Sequence, residues 1–143
     1  VSAATARHDR VSLVFTGWPM LDPDYIDDLF APVGPVRVRR MFGGQGIHFG
    51  DQMIALVADG VLHMKADAET IPAFEAAGSR PFTYLAKGRP RVITTYWTIP
   101  ESALDEPDEF RSWAELAVEA ARRAAAAKAA KPKRRKKVAV EGN

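Results

Sequence analysis

The sequence predicts an α+β fold, a two-layer sandwich in which helices pack on a largely antiparallel sheet in the order helix, strands, helix, strands, helix. Three observations carry that reading. Between residues 46 and 65 three short apolar runs are separated only by Gly50-Asp51 and Asp59-Gly60, and Asp-Gly is a strong two-residue hairpin signal. Val92 to Ile99 is β-branched and aromatic throughout and is the best strand in the chain. After Asp105 the residues Phe110, Trp113, Ala114, Ala117, Val118 and Ala121 form an apolar stripe at helical spacing. Hairpin-linked strands interrupted by single helices fit a two-layer arrangement.

Residues 1–19 show no period and are expected to form a flexible N-terminal arm, with Met20 the more natural start of a domain that runs over 20–127. Asp22 then reads as an N-cap with Pro23 in the first helical position, and Tyr25, Ile26, Leu29 and Phe30 fall on one helical face. Pro32, Gly34 and Pro35 end this helix. The acids Asp22, Asp24, Asp27 and Asp28 oppose the helix dipole without any ion, so no metal is expected there. From Val36 the period changes to strands. Two-residue turns place Phe49 opposite Gln52 and Ala58 opposite Val61, and so fix the register of a β-meander. One face then carries His48, Met53, Ala55, Val57, Leu62 and Met64, the other Ile47, Phe49, Ile54, Leu56, Val61, His63 and Lys65. Both faces are more apolar than a solvated surface, so the face left free by the helices is expected to meet something, a second copy of the chain being the simplest candidate.

A second helix is expected over Asp67 to Ala77, capped by Asp67 or Thr70 and closed by Gly78. Ser79 to Tyr84 resumes extended structure, and Lys87-Gly88-Arg89-Pro90-Arg91 is a basic turn into the Val92–Ile99 strand. Pro100 closes that strand. Asp105 is the expected cap of the last helix, with Pro107 and acids in its first turn. From Lys128 the composition becomes that of a basic, disordered tail over 128–143.

The chain has 143 residues, 47% of them hydrophobic, and no cysteine. That length suits one domain with a real core, and the missing cysteine excludes disulfides, thiolate metal sites and a cysteine nucleophile. No apolar run is long enough to span a membrane and no signal-peptide pattern stands at the N-terminus, so a cytoplasmic location and no membrane partner are expected. The 20 basic and 18 acidic residues are unevenly placed. Residues 128–143 hold seven basic side chains against Glu141 alone, leaving 13 basic and 17 acidic groups in the other 127 residues. The net positive charge therefore belongs to the tail, and Arg39, Arg40, Arg80, Lys87, Arg89 and Arg91 make a second basic patch only if the two basic turns lie at one end of the sheet.

Two places invite a binding role. In the tail, Lys131, Lys133, Arg134, Arg135, Lys136 and Lys137 could neutralise phosphates without reading sequence, or could serve only to solubilise. At the stretch from Arg39 to Ile47, three glycines within four residues make a corner between two strands. Arg39, Arg40, Gly43 and Gly44 there are either a site for an anion or a partner's loop, or a structural turn with solvated arginines beside it. Tyr84, Tyr96 and Trp97 alternate within apolar strands and read as core packing in preference to a base-stacking platform. No P-loop, dinucleotide fingerprint or Gly-x-Ser-x-Gly occurs, and the glycine cluster is followed by a strand where a phosphate loop needs a helix. His48 and His63 are expected on opposite faces. No catalytic residue, cofactor or metal is expected.

The segments Arg40-Met41-Phe42-Gly43-Gly44, Ala58-Asp59-Gly60, Leu62 to Asp67 and Phe74-Glu75-Ala76-Ala77-Gly78, in that order, resemble the N-terminal domain of the TfoX (Sxy) family of competence regulators over roughly residues 22–125. The resemblance implies an α+β fold, no catalytic residues, and a role as a transcriptional co-regulator, which in the best known members is exercised together with the cyclic-AMP receptor protein. Two-domain members continue into a helical module where this chain has its lysine and arginine tail. The expected function is thus that of a non-catalytic regulatory or adaptor protein with a basic tail for weak, non-specific DNA contact, a transcription factor as protein partner and a homodimer through the sheet. The alternatives are a protein-binding module with an inert tail and an enzyme acting on a small anion at the Arg39, Arg40 and Gly43 corner.

Overall fold

A computed structural model describes residues 20–41 and 43–130. The element order is α1 (Pro23–Phe30), β1 (Arg37–Met41), β2 (Gly44–Phe49), β3 (Gln52–Ala58), β4 (Val61–Lys65), α2 (Ile71–Ala76), β5 (Pro81–Ala86), β6 (Arg89–Thr98), a 3-10 turn (Glu101–Asp105) and α3 (Pro107–Ala130). The six strands form one open sheet in the order β1-β2-β3-β4-β6-β5, and every neighbouring pair is antiparallel. The helices lie on one face, which is the two-layer α+β arrangement read from the sequence.

Local chemistry explains each boundary. The Asp22 carboxylate accepts from the Asp24 amide at 2.9 Å and caps α1. The two meander turns have two residues each, with Phe49 opposite Gln52 and Ala58 opposite Val61 as expected. Asp59 and Lys87 take left-handed φ of 53° and 55°, each followed by a glycine that does the same, the requirement of a tight hairpin turn. The second helix is shorter than Asp67–Ala77. Pro72 has no N–H to give the Ala68 carbonyl, so Asp67 to Thr70 form a turn in which Asp67 Oδ1 accepts from the Glu69 and Thr70 amides. The last helix is capped by Glu106 instead of Asp105. A 3-10 turn takes up Asp105, and Glu106 supplies the first helical carbonyl to Phe110 and a carboxylate to the Asp108 amide. This helix continues past Ala127 to Ala130.

The core lies between the sheet and α1 and α3. Ile47, Ile54, Ala55, Val57, Leu62 and Met64 from the meander meet Ile26, Phe30, Phe74, Phe110 and Ala114, all at most 6% exposed. Phe30 meets Phe110 edge-on at 4.9 Å between ring centres, and Phe74 lies 4.9 Å from Trp113. Each fully buried phenylalanine contributes on the order of 2 to 3 kcal/mol by removal from water. Arg123 of α3 reaches back to Asp67 with Nε–Oδ2 at 2.7 Å and Nη2–Oδ1 at 3.1 Å, a bidentate pair that ties the last helix to the turn before α2.

A β-bulge overturns the expected assignment of sheet faces. Ile47 stands opposite Ala55 but His48 stands opposite Met53, so Ile54 is the extra residue. Ile54 and Ala55 both reach the core, as does Ile47. The core face therefore holds Ile47, Phe49 and Ile54 along with Ala55, Val57, Leu62 and Met64, while His48 and Met53 join Leu56, Val61, His63 and Lys65 on the open face. A regular ladder, assumed from the turn lengths alone, shifts every β2 residue to the wrong side.

Candidate partner groove on the open face of the sheet

The Gly43-Gly44-Gln45-Gly46 corner opens β2, and each of its last three residues has a packing reason. Gly44 is buried, and a Cβ there would run into the Val57 carbonyl oxygen of β3. A Cβ on Gly46 would lie 2.5 Å from Met41 Sδ and 3.2 Å from Met53 Sδ. Its absence lets two methionines lie on the open face. Gln45, 3% exposed, points to the other side. Its Oε1 accepts from the Leu21 amide and its Nε2 donates to the Leu21 carbonyl, both at 2.8 Å. One side chain thus stands in for a strand and holds the chain just ahead of α1.

The arginines diverge from this corner. Arg39 pairs with Gly46 and Arg40 with Gln45, so the two project to opposite faces. Arg37 and Arg39 share the open face with His48, whose pKa is lowered by burial first and then by the charges of Arg39 and Arg37. Gly43 is exposed at the rim and Gly44 is not. Phe42 and the tail residues Lys131, Lys133, Arg134, Arg135, Lys136 and Lys137 lie outside the described residues, as does the 1–19 arm.

On the open face the corner borders a shallow groove of about 620 Å³. Met53 and Leu56 form its floor, Met41, Gly43 and Asp59 one margin, and Arg80, Phe82 and Tyr84 the other. The β5–β6 hairpin gives the groove its far wall. His63, 6% exposed, packs edge-on to Phe82 at 5.3 Å, and Phe82 stacks with Tyr84 at 5.7 Å. The His63 Nδ1 lies 2.9 Å from the Val61 carbonyl, so that nitrogen carries the proton and Nε2 is the one left to accept. Burial pulls the His63 pKa down, against a smaller upward pull from that carbonyl, and the ring is neutral near pH 7. Beside the groove Lys65 Nζ sits 5.1 Å from the Tyr96 ring centre, and burial pushes the Tyr96 phenol up to about 12.

This arrangement is suited to contact. An apolar floor and aromatic wall can receive a partner's side chains, with Asp59 and Arg80 at opposite margins for polar pairing. Although His48 and His63 share the open face, two strand spacings, about 10 Å, separate β2 from β4. Among the described residues no three His, Asp or Glu side chains gather as metal ligands, and no helix is long and apolar enough to cross a membrane. Of the aromatic residues read as core, Trp97 is buried at 6% and donates Nε1 to the Thr94 carbonyl at 2.9 Å, Tyr96 is half-buried, and Tyr84 is 42% exposed. Sequence reasoning missed Phe82, Tyr84 and Arg80 as a wall. The available signal was the exposed-looking basic turn at Lys87 to Arg91, which marks where a hairpin leaves the body.

Comparison with known proteins adds one finding. The family model described as the TfoX N-terminal domain matches residues 28–121, from within α1 to the last buried alanine of α3. No curated protein matches the chain.

Proposed function

The chain belongs to the TfoX N-terminal domain family, and from that premise we propose that it is a non-catalytic regulatory adaptor which holds a transcription factor in its open-face groove. The observation that carries this reading is the groove itself. It is apolar and aromatic, it lies opposite the helices, and its one buried titratable side chain, His63, is committed through Nδ1 to its own strand. Catalysis needs a nucleophile, base and electrophile converging on one point, and among the described residues the open face offers a contact surface in which no such set converges. The basic tail, Lys131 to Lys137, adds weak and sequence-independent DNA contact to an adaptor whose partner reads the sequence.

The test is retention of a purified transcription factor, with the cyclic-AMP receptor protein as the first tried. Val61, 46% exposed at the groove, is replaced by glutamate, a surface change expected to cost within about 0.5 kcal/mol of stability. The reading expects retention by the wild-type chain and at least tenfold weaker retention by Val61→Glu. Equal retention by both places the partner elsewhere. Saturable binding of a small anion lost in Arg39→Gln would instead favour the enzyme reading.

A further inference from the structure

We propose that the β5–β6 hairpin is a nucleic-acid-binding arm that lays its basic tip along a groove of duplex DNA, independently of the tail. The hairpin leaves the body of the sheet. β6 pairs with β4 only where Tyr96, Trp97 and Thr98 face Lys65, Met64 and His63, and among the described residues its strand partner from Arg89 to Ile93 is β5 alone. Between Thr83 and Thr95 every residue except Ala86 and Ile93 is exposed. Among the described residues no third strand or helix covers this two-stranded ribbon, and a ribbon of that kind is marginal as a structural element, so its length needs another reason.

Its charge supplies that reason. Residues 76–100 contain Arg80, Lys87, Arg89 and Arg91 and no acid, in a chain whose first 127 residues otherwise carry an acidic balance. None of the four forms an ion pair with a described residue. The register sorts the ribbon into two sides. Tyr84 stands opposite Arg91 and Ala86 opposite Arg89, which puts both arginines on the side of Tyr84. Leu85 opposite Pro90 and Thr83 opposite Val92 make the other side, where Leu85 is 71% and Val92 55% exposed. A ribbon of two strands about 5 Å apart enters the major groove, which is about 12 Å wide. With the side of Tyr84 turned to the DNA, Lys87 at the tip and Arg89 and Arg91 along the ribbon meet phosphates, and Leu85 and Val92 face away from the bases. A second copy fits this surface poorly, because it would bring the same four unpaired cations against these four.

The test uses the full chain and a fluorescent DNA duplex, with anisotropy read across a salt series. Four proteins are compared: wild type, an arm variant with Lys87→Gln, Arg89→Gln and Arg91→Gln, a tail variant with Lys131, Lys133, Arg134, Arg135, Lys136 and Lys137 all changed to Gln, and the combination. Each phosphate contact contributes about 0.9 to the slope of log affinity against log salt. The arm variant is therefore expected to lower the slope by about 2.7 and the affinity at low salt at least tenfold, in the presence or absence of the tail charges. The thermal midpoint of each variant checks that the fold is kept. An arm variant with wild-type slope and affinity overturns the proposal and leaves the tail as the DNA contact. Absence of DNA binding by the wild-type chain overturns both, while the groove reading still stands or falls on retention of its own partner. If Leu85→Ser converts a dimer to a monomer in sedimentation without changing DNA affinity, the exposed side of the arm serves a second copy, and the proposal is likewise overturned.

Discussion

Gln45→Leu removes a side chain that does the work of a strand edge, and the structure sets the size of the effect. Two hydrogen bonds of 2.8 Å join Gln45 to the Leu21 amide and carbonyl, and Gln45 is 3% exposed. Each bond is worth about 1 kcal/mol net, and a buried group left unpaired costs on the order of 1 to 3 kcal/mol. Leu21 is only half-buried, so water can reach part of what is exposed, and the lower figure applies. The expected loss is about 2 kcal/mol, or about 8 °C in thermal midpoint for a domain of this size. Urea denaturation measures it, and amide exchange at Leu21 localises it. Gln45→Glu provides a second signature. Above the ordinary carboxylate range its ionised oxygen would face the Leu21 carbonyl, so it should be less stable than Gln45→Leu near pH 7 and recover as the pH falls and the acid becomes a donor. A loss under 0.5 kcal/mol for Gln45→Leu, or a Gln45→Glu variant without that recovery, would refute the clamp.

Further expectations concern other points of the fold. Gly44→Ala places a methyl group against the Val57 carbonyl oxygen and should cost about 2 to 3 kcal/mol in urea unfolding, as overpacking against backbone does. Lys87→Asn should raise the thermal midpoint by relieving part of the roughly 1 to 2 kcal/mol that a left-handed φ costs an ordinary side chain, and should at the same time weaken DNA binding by the arm. Because the His63 pKa is lowered in the folded state, its share of stability is full above its unfolded value of about 6.5 and declines as pH falls below it. The denaturation midpoint should therefore drop between pH 7.5 and 5.5, and His63→Leu should flatten that limb, with His48 supplying the remainder. The Arg123 hydrogen bonds hold Asp67 below the ordinary carboxylate range. Its contribution is full above about pH 3.9 and is lost as pH falls through the lower folded value, a loss that acid titration of Asp67→Asn should no longer show.

Much of this fold could be read from the residues because turn chemistry is local. Gly50-Asp51 and Asp59-Gly60 fix two hairpins without reference to anything distant, and Asp22-Pro23 starts a helix by its own hydrogen bond and ring. The α3 stripe from Phe110 to Ala121 is likewise written in its own spacing. What escaped depends on contacts between segments. The bulge at Ile54 arises from how β2 and β3 settle over the core, and neither strand announces it, so the open face was read with the wrong histidine partner. The role of Gln45 requires Leu21, which lies 24 residues earlier. At the candidate site, Gly43 and the Met41 end of β1 do border the groove, whereas Arg39 and Arg40 part to opposite faces because they are neighbours on one strand. The opposite wall, Phe82 and Tyr84, comes from a hairpin whose emergence from the sheet has no local signature beyond its basic tip.

The placement of α3 also predicts an order of events during folding. The meander from β1 to β4 is built from neighbours in sequence and can pair quickly. Its core face, with Ile47, Ala55 and Met64 fully buried in the finished domain, is covered in large part by a helix that begins at Pro107. Before that helix is made, the described helices that can cover this face are α1 and α2, of eight and six residues. The Arg123 and Asp67 contact, closing across 56 residues, is then expected to engage late. Chains shortened before Ala121 should accordingly pair their strands and still aggregate, because they lack the cover and not the sheet.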